Sequence, residues 1–103
     1  MPATVGVRVP ASLRAYAGGS AVLDVEIGAE GDEATVRGVL DRLLVSHPDL
    51  ERRVRTEQGD LRPHVNLFVG SENIRDLGGL ATPVGDGAGL TILPAVSGGD
   101  LAR

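Results

Sequence analysis

The chain has 103 residues, no cysteine and only two aromatic residues, Tyr16 and Phe68. This length suits one domain with an aliphatic core, and the lack of cysteine excludes disulfides, thiolate metal sites and a thiol nucleophile. The formal net charge is −4, with ten arginines and no lysine, which disfavours a nucleic-acid partner. Since neither a membrane span nor a signal peptide is visible, we expect a cytoplasmic protein with no membrane partner.

The first part of the chain predicts two paired strands. Val5, Val7 and Val9 alternate with polar or small residues over Thr4–Val9, and the same period recurs over Ala21–Ile27. A loop with Gly18-Gly19 lies between these runs, so we expect an N-terminal antiparallel hairpin.

One main helix follows. Its apolar positions fall at i, i+3, i+4, i+7 and i+8: Val36, Val39, Leu40, Leu43 and Leu44. Thr35 or Asp32 can cap its start, and Pro48 predicts an end near Ser46. Asp49–Arg55 is predicted to add a short helical turn.

The second half predicts three more strands. Val65–Val69 alternates, Ile74–Leu77 is expected to form a short fourth strand, and the last strand begins at Leu90. Gly85-Asp86-Gly87 predicts a tight turn before Leu90, at the end of a loop-rich stretch from Gly78 to Gly89.

The predicted order is strand, strand, helix, strand, short strand, strand, which allows one helix on one face of a small mixed sheet. This is the α+β arrangement called the β-grasp, or ubiquitin-like, fold. We expect four or five strands, with the last parallel to the first at the sheet centre. A ferredoxin-like fold would need a second full helix, which the glycine-rich Gly78–Gly89 segment does not supply.

The C-terminal stretch is distinctive. After Leu90–Leu93 come Pro94, three small or β-branched residues and Gly98-Gly99, and then only Asp100–Arg103. This glycine pair closes no turn between elements, so folding alone gives little reason for it. We expect a folded domain over 1–94, a flexible arm over 95–99 and a removable tail over 100–103. The alternative is a frayed terminus.

Several segments together resemble the MoaD/ThiS family of sulfur-carrier proteins, and within it the CysO type of cysteine biosynthesis. They are Val65–Val69, Ile74-Arg75, Gly78–Thr82, Gly85-Asp86-Gly87 and Leu90–Gly99. The resemblance is close over about the last 40 residues. Elsewhere it rests on element order and spacing.

The resemblance implies chemistry on the backbone, with the chain as a co-substrate and not an enzyme. An E1-like partner would use ATP and Mg²⁺ to adenylate the carboxylate of Gly99, a sulfur donor would convert the adenylate to a thiocarboxylate, and a biosynthetic enzyme would accept the sulfur. Gly98 would give clearance in a narrow channel. The other arm residues that would enter the partner's active site are Pro94, Ala95, Val96 and Ser97.

One feature departs from the family pattern, because members commonly end at Gly-Gly. Here Asp100–Arg103 keep the Gly99 carboxyl group in an amide, which cannot be adenylated. We expect a JAMM-type zinc protease to cut between Gly99 and Asp100. The alternatives are a carrier that has lost its activity, a ubiquitin-like modifier conjugated through Gly99, and a β-grasp binding module without carboxylate chemistry.

Other candidate sites are weaker. By alternation Phe68 and Leu93 point away from the helix-covered face, which suggests a partner surface; cover by a loop is the alternative. His47 and His64 lack a third ligand at metal spacing, so no metal site is predicted. Gly85–Gly89 precedes a strand and lacks the residues of a phosphate loop, and the carboxylates are interpreted as solvated faces.

Overall fold

The computed structural model describes residues 3–28 and 34–94. Seven main elements are β1 (Ala3–Arg8), β2 (Val22–Ile27), α1 (Val36–Ser46), α2 (Pro48–Val54), β3 (Val65–Val69), β4 (Glu72–Asn73) and β5 (Gly89–Pro94). The strands form one five-stranded sheet in the order β2-β1-β5-β3-β4. None of the described helices is long and apolar enough to cross a membrane.

The strand pairing confirms the predicted β-grasp topology. β1 and β2 pair antiparallel, from Ala3 opposite Ile27 to Arg8 opposite Val22. β5 lies between β1 and β3, parallel to the first and antiparallel to the second. The last strand is therefore central, as the β-grasp arrangement predicted, and its apolar composition is consistent with this position.

The core lies between one face of the sheet and α1. Alternate strand residues supply the sheet side, and the i, i+3, i+4, i+7 positions of α1 supply the other. The members that are at most 1% exposed include Val5, Val7, Ile27, Leu67, Leu90 and Ile92 on the strands and Val36, Val39, Leu40 and Leu43 on α1. Leu44, at the margin of the helical stripe, is 36% exposed and differs from its predicted place in the core.

The predicted helix boundaries hold. Thr35 caps α1, its side-chain Oγ1 accepting a hydrogen bond from the Gly38 amide at 3.2 Å. The alternative cap, Asp32, lies outside the described residues. α1 ends at Ser46, and Pro48 begins α2, where its missing N–H leaves no intrahelical bond unmade.

The predicted strand over Ile74–Leu77 is wrong. The fourth strand is Glu72–Asn73, and Ile74–Asp76 forms a 3-10 helix instead. The Asn73 side chain accepts a hydrogen bond from the Arg75 amide at 2.9 Å, which turns the chain and buries Ile74 completely. A second 3-10 helix, Ala11–Ala17, occupies the predicted loop between β1 and β2 and ends at Gly18, with φ of +66°.

The predicted turn before the last strand is present and also anchors the first strand. Asp86 Oδ1 accepts a hydrogen bond from the Thr4 amide, and the Gly87 amide donates to the Thr4 carbonyl, both at 2.9 Å. Gly87 has φ of +83°, a conformation that favours glycine. The turn thereby fixes the start of β5 against β1.

Candidate functional site

β5 is the element that carries the chain toward the candidate arm. Leu90 and Ile92 are completely buried, and the strand pairs with β1 over Gly89–Thr91 and with β3 over Leu90–Pro94. Pro94, the last residue of β5, lies opposite Val65 and is half-buried. The arm therefore starts from a strand fixed at the centre of the sheet.

The predicted reactive residues lie beyond this strand. Ala95, Val96, Ser97, Gly98, Gly99 and Asp100 are outside the described residues. The role of Gly99, the arm and the cleavage junction between Gly99 and Asp100 stay predictions.

The sheet face opposite α1 carries a continuous row of side chains. Register partners run across all five strands in the order Val22, Arg8, Thr91, Phe68 and Asn73. Thr91 lies between two buried residues of β5, so the row faces away from the core. We call this surface, with Leu93, the open face.

The structure places both predicted partner-surface residues on the open face. Leu93 is 45% exposed, whereas Phe68 is half-buried. Phe68 pairs with Thr91 and Asn66 pairs with Leu93, so Phe68 and Leu93 are diagonal neighbours on adjacent strands. Such neighbours are close enough for an aromatic ring and a leucine to share one contact surface.

Val22 extends this apolar surface and was missed from the sequence. It is 46% exposed, and its side chain lines a groove of about 230 Å³ together with Arg8, Thr91 and Leu93. The sequence contains a signal for this residue, because Leu23, Val25 and Ile27 form the inward set and leave Val22 on the outward face with Asp24 and Glu26. An exposed valine on a face that otherwise carries two acidic residues indicates a surface that can bind a partner.

The interpretation of the carboxylates as solvated faces is wrong for Glu51. Glu51 is 2% exposed and Arg55 is 4% exposed, and the Arg55 Nε donates to Glu51 Oε2. A second nitrogen of Arg55, Nη2, lies 2.9 Å from Asp41 Oδ1 on α1. The guanidinium thereby joins α1 to α2, and this network lies on the helix layer, away from the open face.

The histidines do not form a metal site within the described residues. His47 links α1 and α2, and its Nδ1 lies 2.9 Å from the Ser46 hydroxyl oxygen. His64 is exposed just before β3. No group of three or more histidine, aspartate or glutamate side chains over 3–28 and 34–94 has the arrangement to hold a metal ion.

Comparison with known proteins agrees with this geometry. A model of the ThiS family matches residues 7–99, which include Gly98-Gly99. The chain is 37% identical to sulfur carrier protein CysO of Mycobacterium tuberculosis over 97 residues, covering 92% of this chain and 98% of that protein. CysO in the Amycolatopsis orientalis BexX/CysO complex superposes with a TM-score of 0.77 at 37% identity, over 92% of this chain and 99% of that one.

A second kind of relative shares the fold. The small archaeal modifier protein 1 of Methanosarcina acetivorans is 30% identical, with a TM-score of 0.78 over 96% of this chain and 99% of that one. Sulfur carriers and small modifier proteins thus share this fold. With a family match over most of its length, the chain belongs to the ThiS family.

Proposed function

We propose that this protein is a sulfur carrier whose reactive group is the C-terminal carboxylate of Gly99, exposed once residues 100–103 are removed. The observation that carries the proposal is the position of Gly98-Gly99 at the end of the family match, four and five residues beyond the end of β5. The strand that leads into the arm is central in the sheet and stays paired with β3 up to Pro94, which gives the arm a fixed base. Glycines let the arm pass through a channel too narrow for side chains.

The chemistry needs partner enzymes. The Gly99 carboxylate oxygen attacks the α-phosphorus of Mg²⁺-bound ATP on an E1-like enzyme and releases pyrophosphate. A donor of sulfide-level sulfur then attacks the acyl carbon of the adenylate, AMP leaves, and the product is a thiocarboxylate, which a biosynthetic enzyme accepts as its sulfur source. The chain itself serves as a co-substrate, and cysteine biosynthesis is the pathway suggested by its CysO relatives.

The residues after Gly99 must leave first. An amide carbonyl has no carboxylate oxygen to attack ATP, so the uncut chain is an inactive proprotein. A JAMM-type metalloprotease that cuts between Gly99 and Asp100 would supply the carboxylate.

A second candidate function follows from the modifier relatives. The same Gly99 carboxylate, once activated, could acylate an amine of another protein, as in a ubiquitin-like modifier. The chain has no lysine, so such conjugation would not use a side-chain amine of its own. Both functions need the free carboxylate and differ in the acceptor.

Pyrophosphate exchange and intact-mass measurement test the proposal. With the E1-like enzyme of the same organism, a chain ending at Gly99 is expected to support ATP–pyrophosphate exchange, and the full-length chain, the matched control, is not. The native protein is expected to have lost residues 100–103 and to carry sulfur in place of one carboxyl oxygen. Covalent adducts with other proteins would favour the modifier, and an intact Arg103 terminus under all growth conditions would refute both.

A further inference from the structure

A group of basic side chains lies outside the open face, between α2 and the start of β3. Arg52, Arg53, Arg62 and His64 line one surface cavity of about 290 Å³. All four lining residues are basic, although the chain as a whole has a net charge of −4. We call this cluster the basic corner.

Two of its arginines are not neutralised within the described part of the chain. Arg52 lies 3.4 Å from Glu51 and 3.7 Å from Glu57, and the buried Arg55 nearby pairs with Glu51 and Asp41. Over residues 3–28 and 34–94, by contrast, no carboxylate forms an ion pair with Arg53 or Arg62. Their charges are available to an external anion.

The same two guanidinium groups are held in place. Arg53 Nη2 donates to the Tyr16 hydroxyl at 2.8 Å, and its guanidinium carbon lies 4.5 Å from the ring centroid. Arg62 Nε donates to the Arg52 carbonyl at 2.7 Å. Since a guanidinium has five N–H donors, most donors of both groups remain for a partner, at a reduced entropic cost of ordering.

The basic corner adjoins the place where the chain leaves the sheet. His64 immediately precedes Val65, and Val65 is the register partner of Pro94. Arg75 adds a further cation here, since its Nη2 donates to the carbonyls of Arg62 and Val65 at 3.0 and 2.8 Å. Any enzyme that receives the arm must come close to this part of the surface.

We propose that the basic corner binds carboxylates on the surface of the enzyme that adenylates Gly99, and so orients the carrier as its arm enters. This inference rests on the proposed function. Arg52, Arg53 and His64 are exposed, which suits an extended acidic surface better than an enclosed site for a free anion. Fixed charges at the rim of an interface act mainly on the rate and orientation of encounter.

Exchange kinetics with the carrier ending at Gly99 test this inference. At low salt, Arg53→Gln/Arg62→Gln is expected to lower kcat/KM for the carrier about tenfold while kcat stays within about twofold. The difference should shrink at about 0.5 M NaCl, where screening is strong. Arg53→Lys/Arg62→Lys, which retains both charges, should recover most of the loss.

Arg42→Gln is the matched control. It removes the same kind of charge from α1, where Arg42 lines a separate cavity with Asp24 and Glu26. Thermal unfolding of each variant establishes that it is folded.

Three results would overturn the inference. One is equal kcat/KM for Arg53→Gln/Arg62→Gln and Arg42→Gln. Another is a loss for Arg53→Gln/Arg62→Gln that Arg53→Lys/Arg62→Lys does not recover and that stays the same at about 0.5 M NaCl, which would mean that the loss does not come from the two charges. If the wild-type carrier supports no exchange at all, the proposed function fails and this inference fails with it.

Discussion

Arg55 carries a buried positive charge that is paired with two carboxylates. It is 4% exposed and contacts Glu51, which is 2% exposed, and Asp41 on the neighbouring helix. Glu51 Oε1 has no hydrogen-bond partner, although Arg52 Nε lies 3.4 Å away. The negative charge of the buried Glu51 carboxylate is therefore compensated mainly by Arg55.

Removal of Arg55 should consequently be costly. Arg55→Ala leaves Glu51 as a buried and largely unpaired carboxylate, and we expect a loss of about 3–5 kcal/mol in the free energy of unfolding. Urea denaturation measures this change. Arg52→Ala is the control, with an expected loss below about 1 kcal/mol because its side chain is 45% exposed. Equal losses for the two variants would contradict the role assigned to Arg55.

The sequence could not predict this network. Leu50 and Val54 indicated the buried side of α2, and Glu51 and Arg55 are each the next residue along, at i and i+4. That spacing also fits an ordinary exposed helical ion pair. Only the packing of α1 against α2 brings Asp41 to the guanidinium and excludes water from Glu51.

β5 is the element in which stability and recognition separate by alternation. Leu90 and Ile92 point into the core and are completely buried, whereas Leu93 lies on the open face and is 45% exposed. One strand thus contributes to the core with one side and to the candidate partner surface with the other.

A pair of alanine substitutions tests this separation. Leu90→Ala is expected to lower the free energy of unfolding by about 2–5 kcal/mol, because it leaves a cavity in the core. Leu93→Ala, the same chemical change three residues later, should change it by less than about 0.5 kcal/mol. Urea denaturation of both variants measures the two changes in the free energy of unfolding. A large loss for Leu93→Ala would mean that its side chain supports the fold.

The elements that could be predicted are those with a clear hydrophobic period. The strands β1, β2 and β3 follow from alternation and α1 from the helical stripe, and the central position of β5 follows from the β-grasp arrangement that this element order indicates. β4 could not, because its position depends on the Asn73 side chain, which caps the next turn and also contacts Asn66 at 3.3 Å. The 3-10 helix Ala11–Ala17 could not be predicted either, because Ala17 is its one buried residue and its sequence has no apolar period.

The two faces of the sheet differ in what they contribute: one forms the core, and the other is the candidate partner surface. α1 covers one side and forms the core, and the other side presents Phe68 together with Val22 and Leu93, of which Val22 and Leu93 line a groove. Phe68 and Leu93 could be selected from the sequence because alternation places them outward. The basic corner could not, since it combines α2 with the start of β3. The folded body therefore carries the two candidate binding surfaces, while the proposed chemistry belongs to the arm.

Because the two parts have different roles, their substitution should change different kinetic constants in ATP–pyrophosphate exchange by chains ending at Gly99. Val22→Ala/Leu93→Ala removes apolar contact from the open face, so we expect KM for the carrier to rise about tenfold with kcat nearly unchanged. Gly98→Val adds a branched side chain beside the reactive carboxylate, and misplacement of that group is expected to lower kcat about a hundredfold. Val45→Ala controls for loss of an exposed apolar group, since Val45 is 76% exposed on α1. If Val22→Ala/Leu93→Ala instead lowers kcat at an unchanged KM, the open face does not provide the binding surface.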